Sequence, residues 1–171
     1  MDNQSNRSTL EAKTGGCDSL AGRYLTFVLS KQEYGIGILS VREIIAFQDI
    51  TPIPGVPEFV EGVINLRGRI IPVIDLGQRL CFQQGARSDR TCIIVTEIES
   101  EDDGVVQVGC IVDNVSEVMQ IPGGDIEPAP ELGPSVDLDS VLGLAKVGDD
   151  GLVISLLDIH RVLGSLGGVP L

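Results

Sequence analysis

The chain contains no tryptophan, one histidine, four cysteines and two methionines, and only 4% of its residues are aromatic. Each scarcity excludes something. Cys17, Cys81, Cys92 and Cys110 show no CxxC spacing, and with His160 alone they cannot make the usual zinc constellations. They read instead as reduced thiols of a cytoplasmic protein. His160 lies beside Arg161 in a terminal amphipathic segment, which reads as a surface or packing position rather than that of a general base. There is no GxSxG, no Walker A loop and no GxGxxG opening a helix, so neither an enzyme nor a bound cofactor is implied. Positive charge is scarce too. The 12 Lys and Arg face 25 Asp and Glu, a formal net charge of −13, which argues against nucleic acid and anionic lipid surfaces. The apolar runs, such as 70–74, are far too short to span a bilayer. The polar start, 1–8, has no apolar core of a secretory signal.

What the chain does have is valine and isoleucine, 37 of its 171 residues, and 30 scattered glycines and prolines. A chain of this length buries roughly 70% of the surface it exposes when extended, so its core needs no covalent staples. β-branched residues suit pleated surfaces, and dispersed Gly and Pro cut a chain into short strands. The expected class is all-β.

Residues 1–21 are small and polar and read as a disordered tail. Strand signals follow at 23–29, 34–45, 70–76, 91–97, 105–119 and 152–156. The uninterrupted apolar run 70–76 predicts a buried central strand. Pro57 is placed to open a helical turn over 58–61, closed by Gly62. Residues 83–89 form a polar connector without periodicity. The tip 97–104 holds five carboxylates between Glu97 and Asp103, without the ligand order of a calcium loop, and reads as a solvated turn. Asp158 predicts the cap of a short terminal helix over 158–166, stopped by Gly167-Gly168, with 167–171 as a tail.

The most informative feature is an internal duplication. The segment 34–45 aligns with 108–119 at an offset of 74, 49–54 with 125–130 at 76, and 70–76 with 153–159 at 83. Three blocks in one order, with slowly growing offsets, predict two similar β lobes, over 22–85 and 90–157. Each is of a size suited to a small five-stranded barrel.

Two charged residues stand out. Arg67 follows Val63-Ile64-Asn65-Leu66 and precedes Gly68, and Glu43 sits within Val41-Arg42-Glu43-Ile44-Ile45. Charges in such apolar surroundings call for a partner, so the two are expected to pair across the first lobe near a functional surface. The proline-shaped loops 51–57 and 126–134 offer Ile53, Val56 and Leu132. Semi-rigid loops of this kind suit protein docking, and equally suit turns over barrel ends. Gly35 and Gly37 lie inside a strand, where glycine marks a bulge or close packing.

Several segments closely resemble the CheW-type chemotaxis coupling proteins. They are Tyr24-Leu25-Thr26-Phe27, Glu33-Tyr34-Gly35-Ile36, Val41-Arg42-Glu43-Ile44, Pro57-Glu58-Phe59-Val60-Glu61-Gly62-Val63-Ile64-Asn65-Leu66-Arg67-Gly68 and Ile71-Pro72-Val73-Ile74-Asp75-Leu76, followed by Val112-Asp113-Asn114-Val115-Ser116-Glu117-Val118, Ile126-Glu127-Pro128-Ala129-Pro130-Glu131 and Leu156-Leu157-Asp158-Ile159. The resemblance covers 22–165 and implies two SH3-like β-barrels, in agreement with the duplication. It implies a non-enzymatic, cofactor-free adaptor that links the cytoplasmic tips of chemoreceptors to the regulatory domain of the histidine kinase CheA. Such an adaptor would be monomeric when free, ring-forming in arrays, cytoplasmic, and recruited to membrane-attached receptors without inserting into the membrane. Carried over by resemblance, the receptor-facing positions are Val41, Glu43, Ile44, Gly62, Arg67, Cys92, Gly109 and Val118, with Glu43 and Arg67 as the family's acid–base pair. The kinase-facing positions are Ile126, Glu127, Pro128 and Leu132; Glu127 stands where some relatives carry a basic residue, and Leu132 where some carry an aromatic one. Helix-in-groove docking would use aliphatic anchors for affinity and charges for register. Two other readings are an adaptor of a chemotaxis-like pathway for pili or gliding, and a small-molecule-binding β-barrel regulator. Few aromatics and no convergent polar cluster count against the second.

Overall fold

The computed structural model describes residues 18–83, 86–100, 104–130 and 140–164. Among them the strands are β1 (Gly22–Leu29), β2 (Gln32–Gly37), β3 (Val41–Ala46), β4 (Val60–Leu66), β5 (Arg69–Asp75), β6 (Cys92–Ser100), β7 (Gly104–Val112), β8 (Asn114–Ile121), β9 (Ile126–Glu127), β10 (Val141–Val147) and β11 (Leu152–Leu157), of which β4, β9 and β10 lie outside the strand signals read from the sequence. Two short helices, α1 (Leu76–Arg79) and α2 (Ile159–Gly164), follow β5 and β11. Each is capped by the aspartate that ends the preceding segment: Asp75 Oδ1 accepts from Gln78 N at 3.1 Å, and Asp158 Oδ1 accepts from His160 N at 3.1 Å. These two aspartates are equivalents in the duplication. The all-β, two-lobed class is as read from the sequence.

The division into lobes is not. One sheet runs β3-β6-β7-β5-β4, the other β8-β1-β2-β11-β10-β9. Neither lobe is a continuous stretch such as 22–85 or 90–157. The β1–β2 hairpin of the first repeat lies in the sheet of β8–β11, and the β6–β7 hairpin of the second lies with β3–β5. The chain changes sheets at equivalent places. After β2 a 3-10 turn, Ile38–Ser40, diverts it into β3. After β7, Asp113 turns it into β8, donating its N–H to Val28 O at 3.1 Å and accepting Ser30 N–H on Oδ2 at 2.9 Å. The runs 34–45 and 105–119, which read as single strands, are therefore each two strands in different sheets.

The exchanged hairpins are joined to their hosts by parallel pairing in equivalent registers. Gly35 of β2 pairs with Leu156 of β11, and Gly109 of β7 pairs with Val73 of β5. A Cβ at Gly109 would lie 2.9 Å from Ile93 Cγ2 and 3.3 Å from Val73 Cγ2, and one at Gly35 would lie 3.1 Å from Leu156 Cδ2. The absence of a side chain is what lets the strands pack here. A second equivalent pair, Gly62 and Gly143, sits at bulges in the β4–β5 and β10–β11 hairpins. A Cβ at Gly62 (φ +147°) would fall 2.0 Å from Thr51 O, and one at Gly143 would fall 2.8 Å from Glu127 O. Gly62 is thus a strand residue, and no helix forms over 58–61. Thr51 pairs with Val63 through two 2.9 Å backbone bonds, and Glu127 of β9 pairs with Leu144 in the same way, so the two-residue β9 is the duplicate of the Thr51 bridge.

Three apolar clusters hold the structure. The largest lies between the sheets, and its members fall in equivalent pairs, among them Ile36 with Cys110, Ile74 with Leu157 and Leu76 with Ile159. Each lobe then has its own interior. One holds Tyr24, Ile121, Ile126, Ala145, Ile154 and Leu156, and the other Ile64, Ile71, Val73, Ile93, Val95 and Ile111. Among the described residues the shared cluster has sixteen buried members against six in each interior, so neither lobe is complete alone. Each fully buried aliphatic side chain contributes roughly 2 kcal/mol.

Other expectations are corrected locally. Residues 1–17 lie outside the described residues, but Asp18–Leu20 form a 3-10 turn rather than a tail, because Leu20 packs on the second interior and its carbonyl accepts the Tyr24 hydroxyl at 2.5 Å. Ile70, placed in a buried strand by the sequence, is 65% exposed, since β5 begins at the hairpin tip. Val56 packs against the shared cluster, which makes 51–57 a turn over a lobe end. The aperiodic connector is anchored by Arg87, whose Nη2 lies 3.0 Å from Glu61 Oε1 and whose guanidinium sits 4.7 Å over the Phe47 ring. Residues 101–103, the tip of the acidic turn, and 165–171 lie outside the described residues.

Two outcomes follow. Gly62→Ala, strained in both backbone and contact, is expected to cost roughly 3 kcal/mol and to lower the urea midpoint more than Gly35→Ala, where only a Leu side chain must yield. Burial pushes the Cys110 thiol up to about 12. In the folded protein iodoacetamide should therefore label exposed Cys81 and spare Cys110, as read by mass spectrometry of the digest.

Candidate functional site

Leu66 pairs with Arg69 across the β4–β5 hairpin, which leaves Arg67-Gly68 as a two-residue loop. Both have positive φ, +54° and +85°, the pattern of a type I′ turn whose twist matches the strands it joins. Asn65 Oδ1 accepts Gly68 N–H at 2.9 Å and locks the loop. The turn projects Arg67 toward β3, the opposite edge of the same five-stranded sheet. On β3 the pairing with β6 shifts register between Val41 and Glu43, and such a bulge re-aims the side chains beside it.

The result is a fork-on-fork ion pair across the seam between the two sheet edges. Arg67 Nη1 donates to Glu43 Oε1 at 2.8 Å and Nη2 to Oε2 at 2.9 Å. This is the pairing expected from the sequence. It remains open to solvent, with the Arg67 side chain 74% exposed and that of Glu43 27% exposed. The hydrogen bonds from Arg67 hold the Glu43 carboxyl below its ordinary value of 4.5, and the nearby charge of Arg42 acts in the same direction. The guanidinium of Arg67 is pushed up in return. Arg42, Leu66, Arg69 and Gln107 complete a shallow recess around the pair. Arg42 also lies 3.8 Å from Glu97. These four residues were missed by sequence reasoning. Two signals pointed to them: Arg42 adjoins Glu43, and Arg69 flanks the turn.

The other positions expected from the resemblance to face a receptor separate into surface and interior. Ile44 on β3 and Val118 on β8 are equivalents in the duplication, and both are exposed apolar residues on sheet-edge strands. Val41 and its equivalent Val115 pack against the shared cluster at the start of those strands. Gly62 and Gly109 are buried and serve backbone packing, as described above. Cys92 opens β6 opposite Ala46 and packs against the shared cluster, where burial pushes its thiol up.

Of the positions expected from the resemblance to face the kinase, Ile126 is fully buried in the second interior, where its side chain anchors β9. Glu127 and Pro128 are exposed, and Glu127 Oε1 accepts from Lys146 Nζ at 2.8 Å. Leu132 lies outside the described residues.

A family model described as the CheW-like domain matches residues 23–167. The chain is 36% identical over 148 residues to the chemotaxis protein CheW of Klebsiella aerogenes, covering 86% of this chain and 85% of that one. It is 34% identical over 156 residues to the chemotaxis protein CheW of Bacillus subtilis, covering 91% of each. Among solved structures, the scaffolding protein TtCheW of Thermoanaerobacter tengcongensis superposes with a TM-score of 0.72 at 38% identity, over 84% of this chain and 93% of that one.

The pair's contribution to stability should depend on pH with a definite sign. Because the folded carboxyl titrates below 4.5, the stabilisation is fully present above that value and is lost as pH falls through the folded value beneath it. A double-mutant cycle of Glu43→Ala and Arg67→Ala, read by urea unfolding, should show a coupling at neutral pH. That coupling should fade below 4.5 and shrink with added salt.

Proposed function

The chain belongs to the CheW-like family, and from that premise we propose that it is a chemotaxis adaptor acting by binding rather than by turnover, coupling the cytoplasmic tip of chemoreceptors to the histidine kinase CheA. The observation that carries the proposal is the solvent-open Glu43–Arg67 fork on an edge strand that also presents exposed Ile44. A helical hairpin tip laid against such an edge would bury Ile44 and Val118 as aliphatic anchors, while the charged fork fixes its register. The Arg67 side chain keeps donors free for a partner, since two of its five are committed to Glu43.

The kinase's regulatory domain would dock on a different part of the molecule, around β9, where Glu127 and Pro128 are exposed. Two separate surfaces on one body raise the effective concentration of receptor and kinase for each other, which is how an adaptor without chemistry of its own transmits a signal. Among the described residues no helix is long and apolar enough to cross a membrane, so attachment to receptor arrays would come through the receptors themselves.

The test is Arg67→Glu in arrays reconstituted from the receptor, the kinase and the full chain. Reversing the charge of this solvent-open residue should leave the protein folded, with the melt lowered only by loss of the exposed pair, and abolish receptor-dependent kinase activation. Activation at the wild-type level would remove Arg67 from the receptor contact.

A further inference from the structure

We infer that the recess around the Glu43–Arg67 pair takes a carboxylate from the docked protein partner, and that Arg69 is the residue that selects for it. The inference rests on the adaptor reading above and names the partner chemistry of that surface. Three arginines, Arg42, Arg67 and Arg69, line one recess, against a single lining carboxylate, Glu43. The chain as a whole carries about twice as many acids as bases, 25 to 12, so this concentration of positive charge runs against its own composition. Arg67 is engaged by Glu43 and Arg42 lies near Glu97, whereas among the described residues the Arg69 side chain has no ion pair or side-chain hydrogen bond. Holding it beside two like charges costs stability and returns none in the free protein. An external anion offsets that cost.

The duplication supplies an internal comparison. Glu117 is the equivalent of Glu43, yet the hairpin tip equivalent to Arg67-Gly68-Arg69 reads Gly148-Asp149-Asp150-Gly151. The two lobes keep their cores and their edge-strand glutamate but carry opposite charges at this tip. The basic tip is therefore a feature of one surface rather than of the fold. Size and surroundings specify the anion. Leu66 forms an apolar wall and Glu43 stays ionised within the recess, so a single side-chain carboxylate on a protein surface fits better than a multiply charged phosphate.

The test uses the full chain and the cytoplasmic hairpin fragment of a chemoreceptor encoded in the same genome, with affinity measured by calorimetry at low and high salt. Arg69→Gln should leave the melt at or slightly above the wild-type value, because it relieves like-charge repulsion, while weakening binding about 10-fold and flattening its salt dependence. Neutralising one particular carboxylate of the receptor tip, Glu→Gln or Asp→Asn, should cause the same loss, with no further loss when combined with Arg69→Gln. Wild-type affinity for Arg69→Gln, alongside failed binding by Arg67→Glu, would overturn the inference and leave the adaptor reading standing. Losses that add for every tip carboxylate would overturn it as well. If neither Arg69→Gln nor Arg67→Glu alters binding, the receptor-facing surface itself has been misplaced.

Discussion

The structure depends on two parallel strand pairings in which a glycine of one repeat lies against an aliphatic residue of the other, Gly35 beside Leu156 and Gly109 beside Val73. Parallel neighbours in a sheet need a long crossover between them. Here residues 76–103 connect β5 to β7 and residues 38–151 connect β2 to β11, so the pairings tie together parts of the chain that are distant in sequence. The hairpins that carry the glycines also carry Leu25, Phe27 and Leu29 on β1 and Ile94 and Ile98 on β6 into the cluster between the sheets. Once both hairpins are exchanged, neither lobe can open without exposing the largest apolar cluster. For a scaffold this matters directly, because a scaffold holds its partners in a fixed geometry only if its own body is stiff.

The repeat was legible in the sequence because the offsets survive in short blocks. Which repeat supplies which strand was not. Apolar alternation specifies the face a residue turns inward, and it is silent about the neighbour a strand pairs with. The β1–β2 and β6–β7 hairpins have patterns that fit either host sheet, so sequence order was the natural and wrong assumption. The two breaks that redirect the chain, Ile38–Ser40 and Asp113, are also weak signals, a single helical turn and one aspartate within long β-like runs. Gly62 shows the same limit from another side. A glycine after Pro57 reads as a helix stop, and only the approach of the Thr51 carbonyl identifies it as a strand residue.

The site was legible where polarity contrasted with its surroundings. Glu43 and Arg67 are charges in apolar neighbourhoods, and that contrast predicts a partner for each. Arg69 adjoins the turn glycine, two residues from Arg67, so it looks like any solvated residue at a hairpin end. Its meaning comes from the type I′ turn, which folds the hairpin tip so that Arg67, Arg69 and Leu66 line one recess with β3. Ile126 marks the opposite error. It belongs to a segment read as a docking loop, yet its equivalence to Ile50, which packs on the other lobe interior, shows that the fold claims its side chain first.

Comparison of the two repeats separates what the fold needs from what a surface has acquired. Core pairs such as Ile71 with Ile154 and Leu76 with Ile159 stay aliphatic, and the exposed Ile44 and Val118 stay apolar. The hairpin tips differ in sign of charge. At physiological salt the Debye length is about 8 Å, so an approaching acidic protein feels the local patch more than the distant net charge. A chain with a formal charge of −13 repels such a partner over most of its surface. The first-lobe tip is where that repulsion reverses. On an acidic body, a basic recess of this kind penalises most wrong orientations of an acidic partner as well as attracting it, so the charges that strengthen binding also fix orientation.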